Sequence, residues 1–218
     1  MKKQNLTVVG AGSTYTLGMM NSLIAEKETF PLKRVVFYDI DAKRQESNAK
    51  ATEILFREHY PEVEEFIYTT DKEVAFSNSD FFFIQIRTGG LEARERDEQI
   101  PLTHGCVGQE TCGAGGMAYG LRSIGDMITL INEIRTYSKD AWILNYTNPA
   151  AIVAEALNRE FADDKRLTIN YGAGYQVLLN DVFAWHVSAR QHVYEIDLLG
   201  DEKNAINTEL STGVSIFF

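Results

Sequence analysis

The sequence predicts an α/β fold: a doubly wound, mostly parallel sheet with helices on both faces. Three features carry that expectation. Short apolar runs alternate with helix-patterned segments, the runs are apolar throughout rather than at every second residue, and no internal repeat, low-complexity segment or Pro/Gly/Ser-rich linker breaks the order. A continuously apolar strand is one covered on both faces, as in parallel sheets whose crossovers are helices.

Leu6-Thr7-Val8-Val9 reads as the first strand, and Met19 to Ala25 carries a helical stripe. Val35-Val36-Phe37-Tyr38 reads as the second strand, followed by a long helix from Ala42 to about His59. Phe66-Ile67-Tyr68 and Phe81 to Ile86 give two more strands. Met117 to Tyr137 repeats apolar residues at helical spacing, through Leu121, Ile124, Ile128, Ile131 and Ile134. Trp142-Ile143-Leu144 is a fifth strand and Ala150 to Phe161 a further helix. Leu91 to Gly116 lacks periodicity and is dense in charge and glycine, so it reads as a functional excursion. After Asn170 the pattern weakens, which divides the chain into a domain over 1–170 and a divergent tail over 171–218.

Composition narrows the function. Lys+Arg number 21 against 31 Asp+Glu, a formal net charge of −10 over 218 residues, which opposes a surface built for nucleic-acid phosphates or anionic lipid. A small anionic ligand needs only one local positive site and stays open. No apolar run approaches the ~20 residues that span a bilayer, and the amino terminus has no signal-peptide core. Two cysteines, Cys106 and Cys112, make no disulfide framework. The expectation is a cytoplasmic protein with no nucleic-acid or membrane partner.

The first strand runs into Gly10-Ala11-Gly12-Ser13-Thr14-Tyr15. In a dinucleotide turn the first glycine permits a tight bend and the second lets the backbone approach a pyrophosphate, held on N–H groups at a helix start. Tyr15 stands where the third glycine of the usual fingerprint belongs. Ser13 and Thr14 either donate hydroxyl hydrogen bonds or cap the helix. Asp39, at the end of the second strand, suits the hydroxyls of an adenosine ribose and repels a 2′-phosphate, which favours NAD over NADP. Its distance from the glycines exceeds the usual ~20 residues, as a longer connection through Lys27 to Lys33 explains. These residues mark a Rossmann-like, NAD-binding domain. The bland alternative is a packing turn beside a surface aspartate.

Arg87-Thr88-Gly89-Gly90 follows the fourth strand, where open α/β sheets bind ligands, and an arginine fork there can hold a phosphate. Arg94 to Pro101 reads equally as a solvated charged helix with i,i+4 pairs. Gly108-Gln109-Glu110-Thr111-Cys112-Gly113-Ala114-Gly115-Gly116 spends four glycines in nine residues, costly unless the backbone turns sharply or nears a ligand. Asn148, before Pro149, either caps the next helix or presents its amide to a substrate hydroxyl.

Together these segments resemble glycoside hydrolase family 4, the NAD- and metal-dependent glycosidases. The matching pieces are Val8 to Thr16, Asp97 to Leu102, Gly108 to Gly113 and Asn145 to Ala150, and the resemblance runs from about Leu6 to Asn170. Tyr119 to Ile124 and Ala150 to Ala156 resemble the 6-phospho-α-glucosidase branch. The resemblance implies a phosphorylated disaccharide or glucoside such as maltose 6′-phosphate as substrate, and a mechanism unlike the two-carboxylate scheme. NAD⁺ takes hydride from C3, a base removes the C2 proton, a divalent metal (Mn) stabilises the enediolate, and the C1–O bond breaks by elimination. Water then adds and the hydride returns. By position, Gly10, Ala11, Gly12, Ser13, Thr14, Asp39 and Arg87 fall in the cofactor site, and Arg94 and Asn148 match substrate contacts.

The match then stops. Where the family carries a metal-binding cysteine and a proton-donor aspartate, this chain reads Ile169-Asn170-Tyr171-Gly172. His186 and His192 lack the context of the family's metal histidine, and the distal tyrosine base has no counterpart. The expectation is therefore no metal ligand and no complete catalytic set, with 171–218 a frameshifted or truncated remainder. Phe183, Trp185, Ile196, Leu198 and Phe217-Phe218 of the tail would then either cover part of the apolar surface left bare or be disordered. Three functional readings follow: a 6-phospho-α-glucosidase-like hydrolase, a non-catalytic NAD-binding remnant, and a lactate/malate-type dehydrogenase. Partners on the family pattern are a second copy of the chain or a separately encoded carboxyl-terminal half.

Overall fold

A computed structural model describes residues 2–161 in full and residues 169–178, 183–198 and 201–216 by their backbone. The chain divides into two compact units, Met1–Pro149 and Ala150–Phe218.

The first unit is a five-stranded parallel sheet. Its strands are β1 (Gln4–Val9), β2 (Leu32–Tyr38), β3 (Glu65–Thr69), β4 (Phe81–Ile84) and β5 (Trp142–Asn145), in the spatial order β3-β2-β1-β4-β5. Five helices intervene: α1 (Thr16–Ala25), α2 (Ala42–His59), α3 (Lys72–Phe76), α4 (Gly90–Thr103) and α5 (Gly113–Tyr137). The order reverses between β1 and β4, and the crevice beyond the carboxyl ends of those strands is the ligand position of open α/β sheets. Val9 pairs with both Tyr38 and Ile84, so Gly10, Asp39 and Gln85 emerge side by side at that edge.

Burial explains the strands. Leu6, Val8, Val35, Phe37 and Phe83 enter one core with Met20, Ala49, Phe56 and Tyr60 from the helices. Phe37 and Phe56 both meet the ring of Phe66 edge-on, at 5.0 and 5.5 Å between centroids. Such pairs add to the area they bury. Asp41 caps α2, its carboxylate accepting the Lys43 and Arg44 N–H groups, and Asp71 caps α3 through Val74.

Three sequence expectations need correction. The Leu91–Gly116 excursion is largely helical: α4 fills most of it and α5 begins at Gly113. The α4 pattern is hidden because it buries one narrow stripe, Ala93, Asp97 and Pro101, with charged residues elsewhere. Neither Ser13 nor Thr14 caps α1, whose N-cap position is Tyr15 without a side-chain bond. The fourth strand ends at Ile84 rather than continuing to Ile86. In the second unit, after α6 (Ala150–Glu160), β6 (Ile169–Leu178), β7 (Phe183–Leu198) and β8 (Asp201–Ile216) form an antiparallel sheet. The side chains of Phe183, Trp185, His186, His192, Ile196, Leu198, Phe217 and Phe218 lie outside the described residues.

Candidate functional site: a dinucleotide turn between two cavities

The turn after β1 is held in place from every side. Gly10 takes φ +85°, and a Cβ there would stand 2.7 Å from the Gln85 carbonyl oxygen, so only glycine fits. The Gly10 and Ala11 N–H groups donate to the Tyr38 carbonyl at 2.8 and 3.1 Å. Asn48, reaching from α2, donates to the carbonyls of Ala11 (2.7 Å) and Ser13 (2.9 Å). Thr16 Oγ1 also donates to Ala11, and Gln85 Nε2 donates to Thr16 Oγ1 at 2.7 Å. Thr14 is left exposed, with no hydrogen bond to any described residue.

Asp39 is buried rather than open. Its Oδ2 accepts the Gly12 N–H at 2.8 Å and its Oδ1 the Asp41 N–H at 3.0 Å. A Cβ on Gly12 would come within 2.9 Å of that carboxylate and 2.5 Å of Arg44 Cγ. The carboxylate thus keeps lone pairs for a ribose hydroxyl while being fixed by two backbone donors.

A cavity of about 390 Å³ opens at the carboxyl ends of β1, β2 and β4, lined by Gly10, Asp39, Arg44, Lys72, Gln85 and Arg87 among others. A second, about 710 Å³ and mainly apolar, lies beside α1, lined by Thr14, Tyr15, Met19, Phe83, Gln85, Tyr146 and Asn148. Gln85 borders both, so the turn and Gln85 form the wall between them. The glycine turn thus lies between a cavity that holds Asp39 and one that holds Thr14 and Asn148.

Arg87 leaves β4 into this edge. Its Nη2 lies 2.6 Å from Glu110 Oε1, its guanidinium sits 5.4 Å from the Tyr119 ring centroid, and its Nη1 is buried without a partner. Glu110 also reaches Arg94, whose Nη2 is 3.3 Å from Oε2, while Arg94 Nε donates to Glu98 at 2.7 Å. Arg122 stacks on Tyr119 at 5.6 Å and binds both oxygens of buried Asp97. Burial raises the Tyr119 hydroxyl pKa above its usual value, with the Arg87 cation opposing it. The hydrogen bond that Arg94 donates to Glu98 raises the Arg94 pKa further, so its charge is permanent.

The predicted residues are therefore only partly assembled. Gly10, Asp39 and Arg87 share the first cavity and Thr14 and Asn148 the second, whereas Arg94 lines neither and is held by two carboxylates. Within the glycine-rich loop, Gly108 and Gly115 are required by packing. A Cβ on Gly108 would collide with the Glu98 carbonyl and one on Gly115 would stand 2.5 Å from the Gln109 carbonyl oxygen, so the loop lies against α4 and itself. Sequence reasoning missed Arg44, Asn48, Gln85, Glu110 and Tyr119. Of these Glu110 and Tyr119 carried a signal, each standing in a segment already singled out. Cys106 and Cys112 are exposed and free. Among the described residues no group of three or more His, Cys, Asp or Glu is placed to hold a metal ion. No helix among them is long and apolar enough to cross a membrane.

Comparison with known proteins agrees with this geometry. Phospho-alpha-glucosidase PagL of Clostridium acetobutylicum is 56% identical over 77% of this chain and 38% of its own length. A 6-phospho-alpha-glucosidase from gut microorganisms, solved in complex with NAD and Mn²⁺, superposes with a TM-score of 0.73 at 56% identity, covering 76% of this chain and 38% of that one. A second such enzyme, in complex with NAD and glucose-6-phosphate, gives 0.72 at 42% identity, over 78% of this chain and 38% of that one. The chain thus spans well under half the length of these relatives. The model of the family 4 glycosyl hydrolases matches residues 5–183, and the chain belongs to that family.

Proposed function

We propose that this chain is the dinucleotide-binding half of a 6-phospho-α-glucosidase, taking NAD and serving the cleavage of phosphorylated α-glucosides such as maltose 6′-phosphate. The observation that carries the reading is the carboxylate of Asp39 fixed beside the Gly10–Thr14 turn at the mouth of a cavity shared with Arg87. When bound, the oxidised nicotinamide supplies a hydride acceptor for C3 of the sugar.

The residues' own parts follow from their places. Asp39 accepts from the adenosine ribose through lone pairs that Gly12 and Asp41 leave open. The exposed Thr14 N–H and hydroxyl donate to the pyrophosphate. Arg87 adds positive charge at the same edge. Asn148, in the second cavity, offers its amide to a sugar hydroxyl near the nicotinamide end.

Isothermal titration of the purified chain with NAD tests the reading, with Asp39→Ala expected to weaken binding about tenfold or more. Absence of NAD binding by the unaltered chain overturns it. Incubation with NAD⁺, Mn²⁺ and p-nitrophenyl 6-phospho-α-glucoside tests the hydrolytic part separately.

A further inference from the structure

Asp39 alone would make the first cavity hostile to a 2′-phosphate. It is not the only charge there. Arg44, in the first turn of α2, lines the same cavity and lies directly over the glycine turn. Its position is fixed at three points. The Arg44 backbone N–H donates to Asp41 Oδ1 at 3.1 Å, its Nε donates to the Gly12 carbonyl at 3.3 Å, and its Cγ and Cδ occupy the space that a Gly12 side chain would need. The two terminal nitrogens of the guanidinium have no partner among the described residues. A cation with unused donors thus stands next to the carboxylate that would receive the ribose.

We propose that Arg44 sets how this site discriminates between unphosphorylated and 2′-phosphorylated adenine dinucleotides, its free guanidinium edge receiving the phosphate that Asp39 repels. The inference rests on the dinucleotide reading of the cavity and deepens it. Guanidinium matches phosphate through two parallel charge-assisted hydrogen bonds, and an arginine at this edge of a dinucleotide fold is a known means of accommodating a 2′-phosphate. Asp39 is less able to enforce exclusion than a free carboxylate, because two backbone N–H donors already offset part of its charge. The site accordingly tolerates both dinucleotides, with Arg44 and Asp39 pulling in opposite directions.

Titration with NAD and with NADP, on the unaltered chain and three variants, tests this. Arg44 is exposed and its removal leaves the core intact, so Arg44→Ala should fold, which a thermal melt checks. The expected result is a loss of about tenfold in NADP affinity against less than about threefold for NAD, with Arg44→Lys intermediate. Asp39→Asn should raise NADP affinity relative to NAD, and adding Arg44→Ala should cancel that gain. The NADP advantage should shrink as salt is added. Equal changes for both dinucleotides in Arg44→Ala, no change for either, or an unaltered chain that binds NAD but no NADP would each overturn the assignment while leaving NAD binding in place. An unaltered chain that binds neither overturns the dinucleotide reading itself.

Discussion

Asp39 Oδ2 accepts the backbone N–H of Gly12 at 2.8 Å, so the acidic residue ending β2 and the glycine turn ending β1 form one structural unit. Substitution of either therefore has two consequences, one on stability and one on binding. Asp39→Ala removes the carboxylate that accepts the half-buried Gly12 N–H and the Asp41 N–H and should cost about 2 kcal/mol. Asp39→Asn keeps one acceptor and should cost about half as much. Denaturant unfolding of the two variants checks the ratio. Equal losses would mean that the single acceptor kept by asparagine contributes nothing.

Gly10 is required by conformation as well as by space. Gly10→Ala places a side chain at φ +85° and 2.7 Å from a main-chain oxygen that cannot swing aside. A loss of about 3 kcal/mol is expected. Gly12→Ala should cost less, because its nearest obstacle is the flexible, exposed Arg44 side chain. The order of the two unfolding midpoints decides the point.

How much of this was legible follows from the range of the contacts. The five strands and the Gly10–Asp39 pairing are local in sequence or fixed by sheet order, and the apolar runs disclosed them. The α3 helix was not legible, since one turn of Lys72–Phe76 is too short to show a period. The α4 helix was legible only as one of two readings of its charged segment, because its buried stripe is just Ala93, Asp97 and Pro101. Most misleading was the glycine-rich loop. Close backbone approach to a ligand and close approach to another segment demand glycine equally, and Gly108 and Gly115 answer to Glu98 and Gln109. The i,i+4 pair of Arg94 with Glu98 is local and legible, whereas nothing local announces that Glu110 also reaches Arg94.

Asn48 exemplifies a contact no local pattern reveals, bridging from α2 to two carbonyls of the turn. Asn48→Ala leaves the Ser13 carbonyl without that donor, although Thr16 still serves Ala11. A stability loss of about 1 kcal/mol is expected. The larger effect should fall on NAD affinity, about tenfold, because the turn must be ordered before it can hold a pyrophosphate. Calorimetry that finds NAD affinity unchanged would show that the turn keeps its shape without the bridge.

Tyr119 gives the fold an alkaline limit that can be read directly. Burial raises its pKa above 10.0, more than the Arg87, Arg122 and Arg94 cations lower it, while Glu110 adds to the rise. Burial likewise raises Tyr38 and Tyr146, and the hydrogen bond that Lys72 donates to Glu133 raises Lys72. A raised folded-state pKa means the native chain holds its proton after the unfolded chain has released it. The stability tied to these groups is complete below about pH 10 and is lost as pH climbs toward the folded-state values. Unfolding at about pH 9 and about pH 11 should therefore show weaker stability at the higher pH, with a smaller drop in Tyr119→Phe. The same variant keeps the ring on which Arg87 and Arg122 stack, whereas Tyr119→Leu removes it. Phenylalanine should thus preserve the arginine pair at neutral pH and leucine should loosen it by about 1 kcal/mol. Identical pH profiles for the unaltered chain and Tyr119→Phe would place the alkaline transition on Lys72 and the other two tyrosines instead.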